Sequence, residues 1–234
     1  MTKEKTYKIV EMYETIQGEG FWSGHSIFII RFKGCNVWTG KESDRHKAKA
    51  MCGLWCDTNF VDTKKEKKGG TYTLDELEEY VLTNVSPERT PIILLTGGEP
   101  MLQVDAELIT SFIDMDFRVH IETNGSQSVE EVLKVLNENP PFMISTVWVT
   151  VSPKPPLPLH ESVFELPPFA VELKCVLDKQ MDLHAYDDLE CNARYIQPVE
   201  IDGKTNLQQC IDFVMNNGNR FALTTQAHKV WKIE

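Results

Sequence analysis

The sequence predicts an α/β fold built on a mainly parallel sheet or barrel. Seven apolar runs with strand character alternate with four stretches of helical periodicity along the 234 residues. Strands that alternate with helices are typical of βαβ units, in which the strands lie parallel. Several of the runs are followed directly by polar turns that contain Gly or Pro, as binding loops are in such folds.

The predicted strands are short segments rich in β-branched and aromatic residues. A short alternating segment that follows residues 1–5 precedes them. The seven runs cover residues 26–32, 91–95, 117–121, 146–151, 169–173, 193–197 and 220–225.

The predicted helices begin at recognisable caps. Thr73 and Glu76 form the capping-box pattern, in which each side chain bonds the backbone N–H of the other residue, so one helix begins there. Residues 105–113 form a second helical stretch. Residues 128–137 begin with Ser128 and acidic residues, which suit a helix N-terminus. Residues 205–215 form the last stretch, which ends at Asn217-Gly218.

Four turns follow predicted strands and share a polar composition with Gly or Pro. They are Thr96-Gly97-Gly98-Glu99-Pro100, Glu122-Thr123-Asn124-Gly125, Ser152-Pro153-Lys154 and Gln197-Pro198. The carboxyl ends of parallel strands meet at one face of the fold, so these turns are expected to form one site.

The chain shows no internal repeat and no linker that would separate two domains, so we expect a single domain over residues 1–234. The proline-rich residues 153–168 are expected to form a long loop, and the sequence leaves open whether that loop is ordered.

The charge balance is acidic, with a formal net charge of −11 and a pI of about 5.1. This opposes non-specific binding of nucleic acid, which depends on basic patches. The one basic cluster, residues 64–68, is expected to be a solvated surface loop. No apolar run has the length that spans a bilayer, and no signal-peptide core follows the N-terminus. We therefore expect a cytoplasmic protein whose thiols stay reduced.

Three of the six cysteines lie close together in the sequence. Sixteen residues separate Cys35 from Cys52, and three separate Cys52 from Cys56. With His46 as a fourth ligand they could hold structural zinc, which takes four ligands in a tetrahedron. They could equally hold a 4Fe-4S cluster with one iron left open. The other three cysteines, Cys175, Cys191 and Cys210, stand alone and are expected to be small buried side chains.

The remaining motifs favour the cluster. Gly34-Cys35, Cys56-Asp57-Thr58 and the turn that begins at Thr96 together resemble the radical SAM superfamily, whose members use S-adenosylmethionine (SAM). The opening Glu14-Thr15-Ile16-Gln17-Gly18-Glu19-Gly20 and the other three turns are similar to those of the 7-carboxy-7-deazaguanine synthase family. The likeness extends from about residue 13 to the C-terminus. One departure is the spacing, since most radical SAM enzymes have C-x3-C-x2-C.

The resemblance implies a modified, incomplete (β/α) barrel of TIM type and a lyase of queuosine and deazapurine biosynthesis, in a tRNA modification pathway. The implied cofactors are a 4Fe-4S cluster, SAM and Mg²⁺. SAM would bind the open iron, and its reduction would release a 5′-deoxyadenosyl radical. The radical would take hydrogen from 6-carboxy-5,6,7,8-tetrahydropterin, whose ring contracts with loss of ammonia to give 7-carboxy-7-deazaguanine.

The resemblance also assigns the site residues. Cys35, Cys52 and Cys56 would bind the cluster, and Thr58 would bind Mg²⁺ or, alternatively, cap a turn. The residues that match pterin-binding positions are Ile16, Gln17, Gly18, Arg31, Thr96 and the C-terminal Glu234. Those that match SAM-binding positions are Gly98, Ser152, Pro153, Lys154, Gln197, Pro198, Val199 and Glu200. Further possible site residues are Glu19, Gly97, Glu99, Glu122, Asn124 and His228.

Several of these residues have a second interpretation that the sequence leaves open. Glu99 either attracts the amine of SAM or caps a helix, and Lys154 either binds SAM or lies in solvent. Glu19 either accepts hydrogen bonds from the pterin or forms a salt bridge. Arg31 has the clearest physical role, because its guanidinium matches a carboxylate in two parallel hydrogen bonds.

The expected partners are the small pterin substrate, a flavodoxin- or ferredoxin-type electron donor and a second copy of the chain in a homodimer, with no direct contact to nucleic acid or membrane. Two other functions remain open at this point. One is a radical SAM activase that acts on a glycine of another protein, and the other is a non-catalytic zinc or interaction module. Val230, Trp231 and Ile233 are expected to anchor the C-terminal tail on the barrel.

Overall fold

The computed structural model describes residues 4–47, 50–138 and 146–233, and within them nine strands form one sheet. The strands of this sheet are β1 (Tyr7–Ile16), β2 (Ser26–Phe32), β3 (Gly70–Tyr72), β4 (Ile92–Gly97), β5 (Arg118–Thr123), β6 (Val147–Val151), β7 (Val171–Leu177), β8 (Ala193–Pro198) and β11 (Ala222–Leu223). A separate hairpin pairs β9 (Glu200–Ile201) with β10 (Lys204–Thr205).

The strand order of the sheet is β11-β8-β7-β6-β5-β4-β2-β1-β3. Every neighbouring pair from β2 to β11 is parallel, whereas β1 runs antiparallel to both β2 and β3. The order has two ends, so this part of the chain forms an open barrel. This agrees with the predicted incomplete (β/α) barrel.

Within the described ranges, five α-helices connect or follow the strands: α1 (Leu74–Asn84), α2 (Ala106–Asp114), α3 (Glu130–Glu138), α4 (Leu207–Asn216) and α5 (Ala227–Trp231). The apolar stripes of α1, α2 and α3 are buried, for example at Leu108, Ile109 and Phe112 of α2, whereas α5 has no buried residue. Short 3-10 helices replace α-helices in the connections from β6 to β7 and from β7 to β8. None of the described helices combines the length and apolarity needed to cross a bilayer.

The helix starts follow from local chemistry. The hydroxyl of Thr73 accepts from the N–H of Glu76, and the Glu76 carboxylate accepts from the N–H of Thr73, as the predicted capping box requires. Asp105 caps α2 by accepting from the N–H of Leu108. Free backbone N–H groups at a helix start need such acceptors, so both boundaries could be read from the sequence.

The side chains on the inner wall of the barrel lie at two levels, which follow from the register of the strands. At the lower level Ile29, Leu94, His120 and Trp148 are successive register partners. One step towards the carboxyl ends, Arg31 pairs with Thr96, and Glu122, Thr150 and Glu172 are successive partners. An apolar, aromatic floor therefore lies directly beneath a level of polar and charged side chains.

The predicted elements are largely confirmed. All seven runs contain strands of the sheet, and α1 to α4 lie within two residues of their predicted starts. Residues 153–168 form a connection with a 3-10 helix at Glu161–Glu165. The prediction missed β3, α5 and the ten-residue length of β1. It was also wrong about the tail, because Val230, Trp231 and Ile233 are exposed.

The turn after β4 packs closely against the segment that follows β2. The N–H of Glu99 bonds the carbonyl of Gly34 at 3.0 Å. A Cβ atom on Gly98 would overlap that carbonyl oxygen and lie 2.7 Å from Cβ of Cys35. Glycine at position 98 therefore allows the two backbones to meet, and this contact places Cys35 beside the carboxyl end of β4.

We predict that Gly98→Ala lowers the free energy of unfolding by about 1–3 kcal/mol, because the new methyl group meets backbone atoms that cannot rotate away. Urea denaturation followed by circular dichroism measures this loss.

Gly218→Ala is the matched control, since φ is +59° there and no other atom lies within 4 Å of the added Cβ. It should cost about 1 kcal/mol from backbone strain alone. A Gly98→Ala protein that is as stable as this control would contradict the close approach.

Candidate active site

A cavity of about 670 Å³ opens at the carboxyl ends of the parallel strands. The ends of β4, β5, β6 and β8 all contribute to it, as the four turns predicted. The predicted site residues that line it are Ile16, Gln17, Gly18, Glu19, Arg31, Cys35, Cys52, Cys56, Thr58, Thr96, Gly97, Gly98, Glu122, Asn124, Ser152, Lys154, Gln197, Pro198, Val199, Glu200 and His228. Pro153 is buried and does not line the cavity.

Cys35, Cys52 and Cys56 all face this cavity. Cys35 follows β2, and Cys52 and Cys56 lie in one turn in which the N–H of Cys56 bonds the carbonyl of Cys52 at 2.8 Å. The hydrophobic cluster around Cys52 contains Val37, Trp38 and Phe60. The long loop between the first two cysteines thus returns the chain to the mouth of the barrel.

The thiols differ in acidity. A hydrogen bond from Cys52 lowers the pKa of Cys56 to about 6, and the backbone N–H of Thr58 adds to this effect. The same hydrogen bond, together with burial, raises the pKa of Cys52. Burial also raises the pKa of Cys35. Cys56 is thus the most acidic of the three thiols, and thiols that bind a metal do so as thiolates.

His46, the fourth ligand in the zinc hypothesis, does not line the cavity that the three cysteines face. Across the described parts of the chain, no three Cys, His, Asp or Glu side chains converge closely enough to hold a single metal ion. A zinc ion with bonds of about 2.3 Å needs its thiolates within about 4 Å of each other. A 4Fe-4S cluster spaces its ligands more widely, because each thiolate binds a different iron. Three cysteines that face one cavity are the number that a 4Fe-4S cluster with one open iron would take.

The Glu99 carboxylate connects the turns around the cavity by hydrogen bonds and does not itself line the cavity. One oxygen accepts from the N–H of Met101 and the hydroxyl of Thr123, and the other accepts from the N–H of Asn124 at 2.7 Å. Glu99 is 0% exposed. The structure thus supports the capping interpretation of Glu99 and not direct attraction of the SAM amine.

The turn after β6 directs a cation towards the cysteines. The Nζ of Lys154 donates to the carbonyl and the hydroxyl of Ser152, at 2.6 and 2.8 Å, and lies 5.3 Å from the ring centre of Trp55. Burial lowers the pKa of Lys154. Lys154 is therefore fixed in the cavity wall by its hydrogen bonds, and the alternative of a solvated loop lysine is wrong.

The end of β8 presents an acceptor that is unused within the described residues. Gln197 is buried, and its Oε1 atom has no hydrogen-bond partner there. Buried polar atoms are rarely left unpaired in proteins. Because Gln197 lines the cavity, this atom is suited to accept a hydrogen bond from a ligand.

One wall of the cavity carries an excess of positive charge. Glu11 is buried, and its carboxylate pairs with Arg31 Nε and Lys64 Nζ, each at 2.8 Å, with Lys67 Nζ at 3.8 Å. Lys67 also lies over the ring of Tyr13. The expectation that residues 64–68 are a solvated surface loop was therefore wrong for Lys64 and Lys67, because a buried carboxylate holds them.

Another part of the cavity wall, formed by β5, β7 and the segment after β1, carries an excess of negative charge. The ammonium of Lys174 pairs with Glu19 and lies 3.6 Å from Glu122. Glu122 accepts from Gln17 at 3.2 Å and from the hydroxyl of Thr96 at 3.1 Å. Glu172, on the same strand as Lys174, accepts from Thr150 at 2.7 Å. Four predicted site residues thus belong to one hydrogen-bonded network, and Glu19 forms the salt bridge that was one of its two interpretations.

The C-terminal helix α5 contributes His228 and Lys229 to the lining of the cavity. The N–H of Ala227 bonds the carbonyl of Gly18 at 2.9 Å, and Lys229 pairs with Asp57 at 2.8 Å. A Cβ on Gly18 would overlap Nδ1 of His228, so the imidazole packs directly on the Gln17-Gly18 segment. Glu234, the predicted C-terminal contact, lies outside the described residues.

Glu11, Lys64 and Lys174 are cavity residues that the sequence reasoning missed. A signal existed for Lys174, since it alternates with Glu172 in an otherwise apolar strand. Strands buried on both faces are normally apolar throughout, so two charges on one face of such a strand indicate a polar interior. The remaining cysteines behave as expected, with Cys175 and Cys210 buried and Cys191 partly buried.

Comparison with known proteins places this cavity in a family. The radical SAM superfamily model matches residues 50–158. A protein named 7-carboxy-7-deazaguanine synthase from Burkholderia multivorans is 34% identical, over 97% of this chain and 99% of its own. Its counterpart from Caulobacter vibrioides is 31% identical, over 96% and 97%.

A solved structure has the same fold. The crystal structure of QueE from Escherichia coli superposes with a TM-score of 0.62 at 24% identity, and the match covers 95% of both chains. Together with the near-complete coverage of the curated relatives, this shows that the chain belongs to the 7-carboxy-7-deazaguanine synthase family of the radical SAM superfamily.

Proposed function

We propose that this chain is a 7-carboxy-7-deazaguanine synthase that converts 6-carboxy-5,6,7,8-tetrahydropterin to 7-carboxy-7-deazaguanine with loss of ammonia. The observation that carries this proposal is the division of charge in the cavity. Arg31 and Lys64, paired with Glu11, form the positive part of the cavity wall, and Glu19 and Glu122, paired with Lys174, form the negative part. The pterin has a carboxylate at one end and a row of N–H donors at the other, so its charges match those of the walls.

The residues for the cofactors are at the mouth of the cavity. Cys35, Cys52 and Cys56 would hold a 4Fe-4S cluster, and this cluster with SAM supplies the radical that removes a hydrogen atom from the pterin. Gly98, Lys154 and Gln197 would hold SAM, together with Ser152, Pro198, Val199 and Glu200. The free Oε1 of Gln197 supports this assignment.

The residues for the pterin are deeper in the barrel. Arg31 uses Nε to bind Glu11, and the hydroxyl of Tyr13 also lies against its guanidinium. The guanidinium lines the cavity, where it would meet the substrate carboxylate. Lys64, paired with the other carboxylate oxygen of Glu11, adds a second positive charge. Gln17, Thr96 and Glu122 are linked by hydrogen bonds and offer acceptors to the N–H edge of the ring. These contacts would hold the reacting carbon in one orientation relative to SAM.

Mg²⁺ is a further proposed component. The Thr58 side chain lines the cavity two residues after Cys56. Magnesium keeps several water or substrate oxygens and takes few protein ligands, so a single hydroxyl beside the substrate carboxylate is a suitable ligand. The proposal for Glu234 is that its terminal carboxylate accepts hydrogen bonds from the amino-pyrimidine edge.

The wider context is also a proposal. An electron donor of the flavodoxin or ferredoxin type would reduce the cluster, and the chain would act in the cytoplasm as a homodimer. The acidic net charge of −11 supports action on a small molecule without contact to nucleic acid.

The experiment that tests the function is anaerobic reconstitution with iron and sulfide, followed by turnover with the pterin acid, SAM and a reductant. The expected product has the mass of 7-carboxy-7-deazaguanine, and ammonia appears in equal amount. SAM cleavage without this product, together with radical formation on a protein glycine, would support an activase instead. A colourless reconstituted protein would support the zinc module.

We predict that Cys35→Ala, Cys52→Ala and Cys56→Ala each abolish the absorbance at about 400 nm that iron–thiolate bonds produce. SAM cleavage should disappear with it. Cys175→Ala and Cys210→Ala are the controls, since both thiols are buried away from the cavity. A Cys52→Ala protein with a complete cluster would show that another residue supplies the third ligand.

We predict that Thr58→Val raises the Mg²⁺ concentration needed for half-maximal turnover, because valine keeps the shape but removes the oxygen ligand. The cluster spectrum should not change. Titration of the reconstituted enzyme with Mg²⁺ measures this, and an unchanged dependence would return Thr58 to the capping of a turn.

We predict that Arg31→Lys weakens pterin binding by about one to two powers of ten. A charge-assisted bidentate pair contributes about 1.5–3 kcal/mol, and about 1.4 kcal/mol corresponds to tenfold. Anaerobic titration with pterin acid gives the dissociation constant, and SAM binding should hardly change.

The matched control is Arg89→Lys, because Arg89 also binds a carboxylate, that of Glu14, but is exposed and outside the cavity. Equal losses of pterin and SAM affinity in Arg31→Lys would mean that Arg31 supports the fold and not the substrate.

A further inference from the structure

Lys174 is a buried cation at the centre of the negative wall. It is 5% exposed and lies on β7, with its ammonium among carboxylates from three parts of the chain. It contacts Glu19 from the segment after β1 and lies 3.6 Å from Glu122 of β5. Isolated charges at this depth are very costly, so the lysine and its partners have to be ionised together.

The partners of Lys174 hold the proposed pterin residues. Glu122 Oε1 accepts from Gln17 Nε2, and Glu122 Oε2 accepts from Thr96. The Oε1 of Gln17 in turn accepts from the N–H of Glu19 at 3.2 Å. A displacement of the Lys174 ammonium would therefore act on all of these side chains through Glu19 and Glu122.

We propose that Lys174 is a positioning residue of the reaction, which keeps Glu19 and Glu122 ionised and holds them in place to accept hydrogen bonds from the N–H edge of the pterin. This rests on the function proposed above. Lys174 would act through the two carboxylates and would not contact the reacting atoms.

The charges that face Glu122 indicate what the removal of the Lys174 charge would do. Arg31 faces Glu122 from β2 and is already paired with Glu11, while Lys174 faces it from β7 together with the like charge of Glu172. Glu19 lies on the far side of the Lys174 ammonium. Without Lys174, three carboxylates would share one wall with no cation paired to them among the described residues.

The pKa of Glu122 supports the same direction. Burial raises this pKa, but the ammonium of Lys174 and the hydrogen bonds from Thr96 and Gln17 outweigh burial and lower it. When Lys174 is neutralised, its lowering effect is lost, and the pKa of Glu122 is expected to rise. The carboxyl group is then protonated at low pH and becomes an acceptor again only as the pH rises through the new pKa.

The test is the pH dependence of kcat/KM for Lys174→Met in the reconstituted enzyme. The expected result is an acid limb that lies at least about one pH unit higher than in the unmodified enzyme, with activity falling about tenfold per pH unit below it. Lys174→Arg restores the charge and should return the limb towards its original position. Lys134→Met is the matched control, because Lys134 also pairs with a glutamate but is exposed on α3; its profile should not change.

A second measurement keeps the proposal testable if turnover is lost. Difference infrared spectroscopy of Lys174→Met against Lys174→Met/Glu122→Gln detects the carbonyl stretch of protonated Glu122 without substrate. If Lys174→Met does not fold, the double variant Lys174→Met/Glu19→Gln takes its place, because it removes one charge of each sign. The same pH titration is then measured on the double variant.

The outcomes separate the two proposals. A raised acid limb, or a Glu122 carbonyl band that persists to higher pH than in the unmodified enzyme, supports the role of Lys174. A uniform loss of activity at all pH values, with no protonated Glu122, overturns it. Failure of the unmodified enzyme to convert the pterin acid overturns the proposed function, while the infrared titration still tests whether Lys174 keeps Glu122 ionised.

Discussion

The inner wall of the barrel carries charged side chains that are almost fully buried, and each of them is hydrogen-bonded or paired with another side chain of the protein. Glu11, Glu172 and Lys174 are each at most 5% exposed. The pairing of such groups is strongly favoured, since a single unpaired charge is far more costly than the pair. Their partners come from segments distant in sequence, so the pairs tie the segment after β1 and the lysine-rich loop to the strands. The shape of the cavity depends on these ties.

The same pairing explains why one part of the cavity wall has an excess of positive charge and another part has an excess of negative charge. Glu11 compensates only part of the charge of Arg31, Lys64 and Lys67, whereas Lys174 compensates only part of the charge of its carboxylates. A ligand with a negatively charged end and an end rich in N–H donors would supply the partners that both groups of side chains lack. The cysteines lie at the mouth, where Gly98 permits the contact between the β4 turn and the Cys35 segment. The radical chemistry of the family and the proposed recognition of the pterin are thus assigned to different depths of one barrel.

The sequence predicted the parallel sheet, four helices and the convergence of the four turns, because strand and cap signals are local. It did not predict the roles of residues whose partners are distant. Glu99 matched the expectation for an amine-binding residue, but Thr123 and Asn124 occupy its oxygens. Lys64 and Lys67 were interpreted as solvated because the loop is polar, and the buried Glu11 that holds them lies more than fifty residues earlier. Lys174 was hidden for the same reason, although its alternation with Glu172 was visible.

The central claim is that the division of charge sets the orientation of the substrate. An anaerobic crystal structure of the reconstituted enzyme with SAM and the pterin acid tests this most directly. The account predicts the substrate carboxylate at hydrogen-bond distance from Arg31 and the N–H edge of the ring against Gln17 and Glu122. A pterin bound the other way round, with its carboxylate beside Glu122 and Lys174, would contradict it.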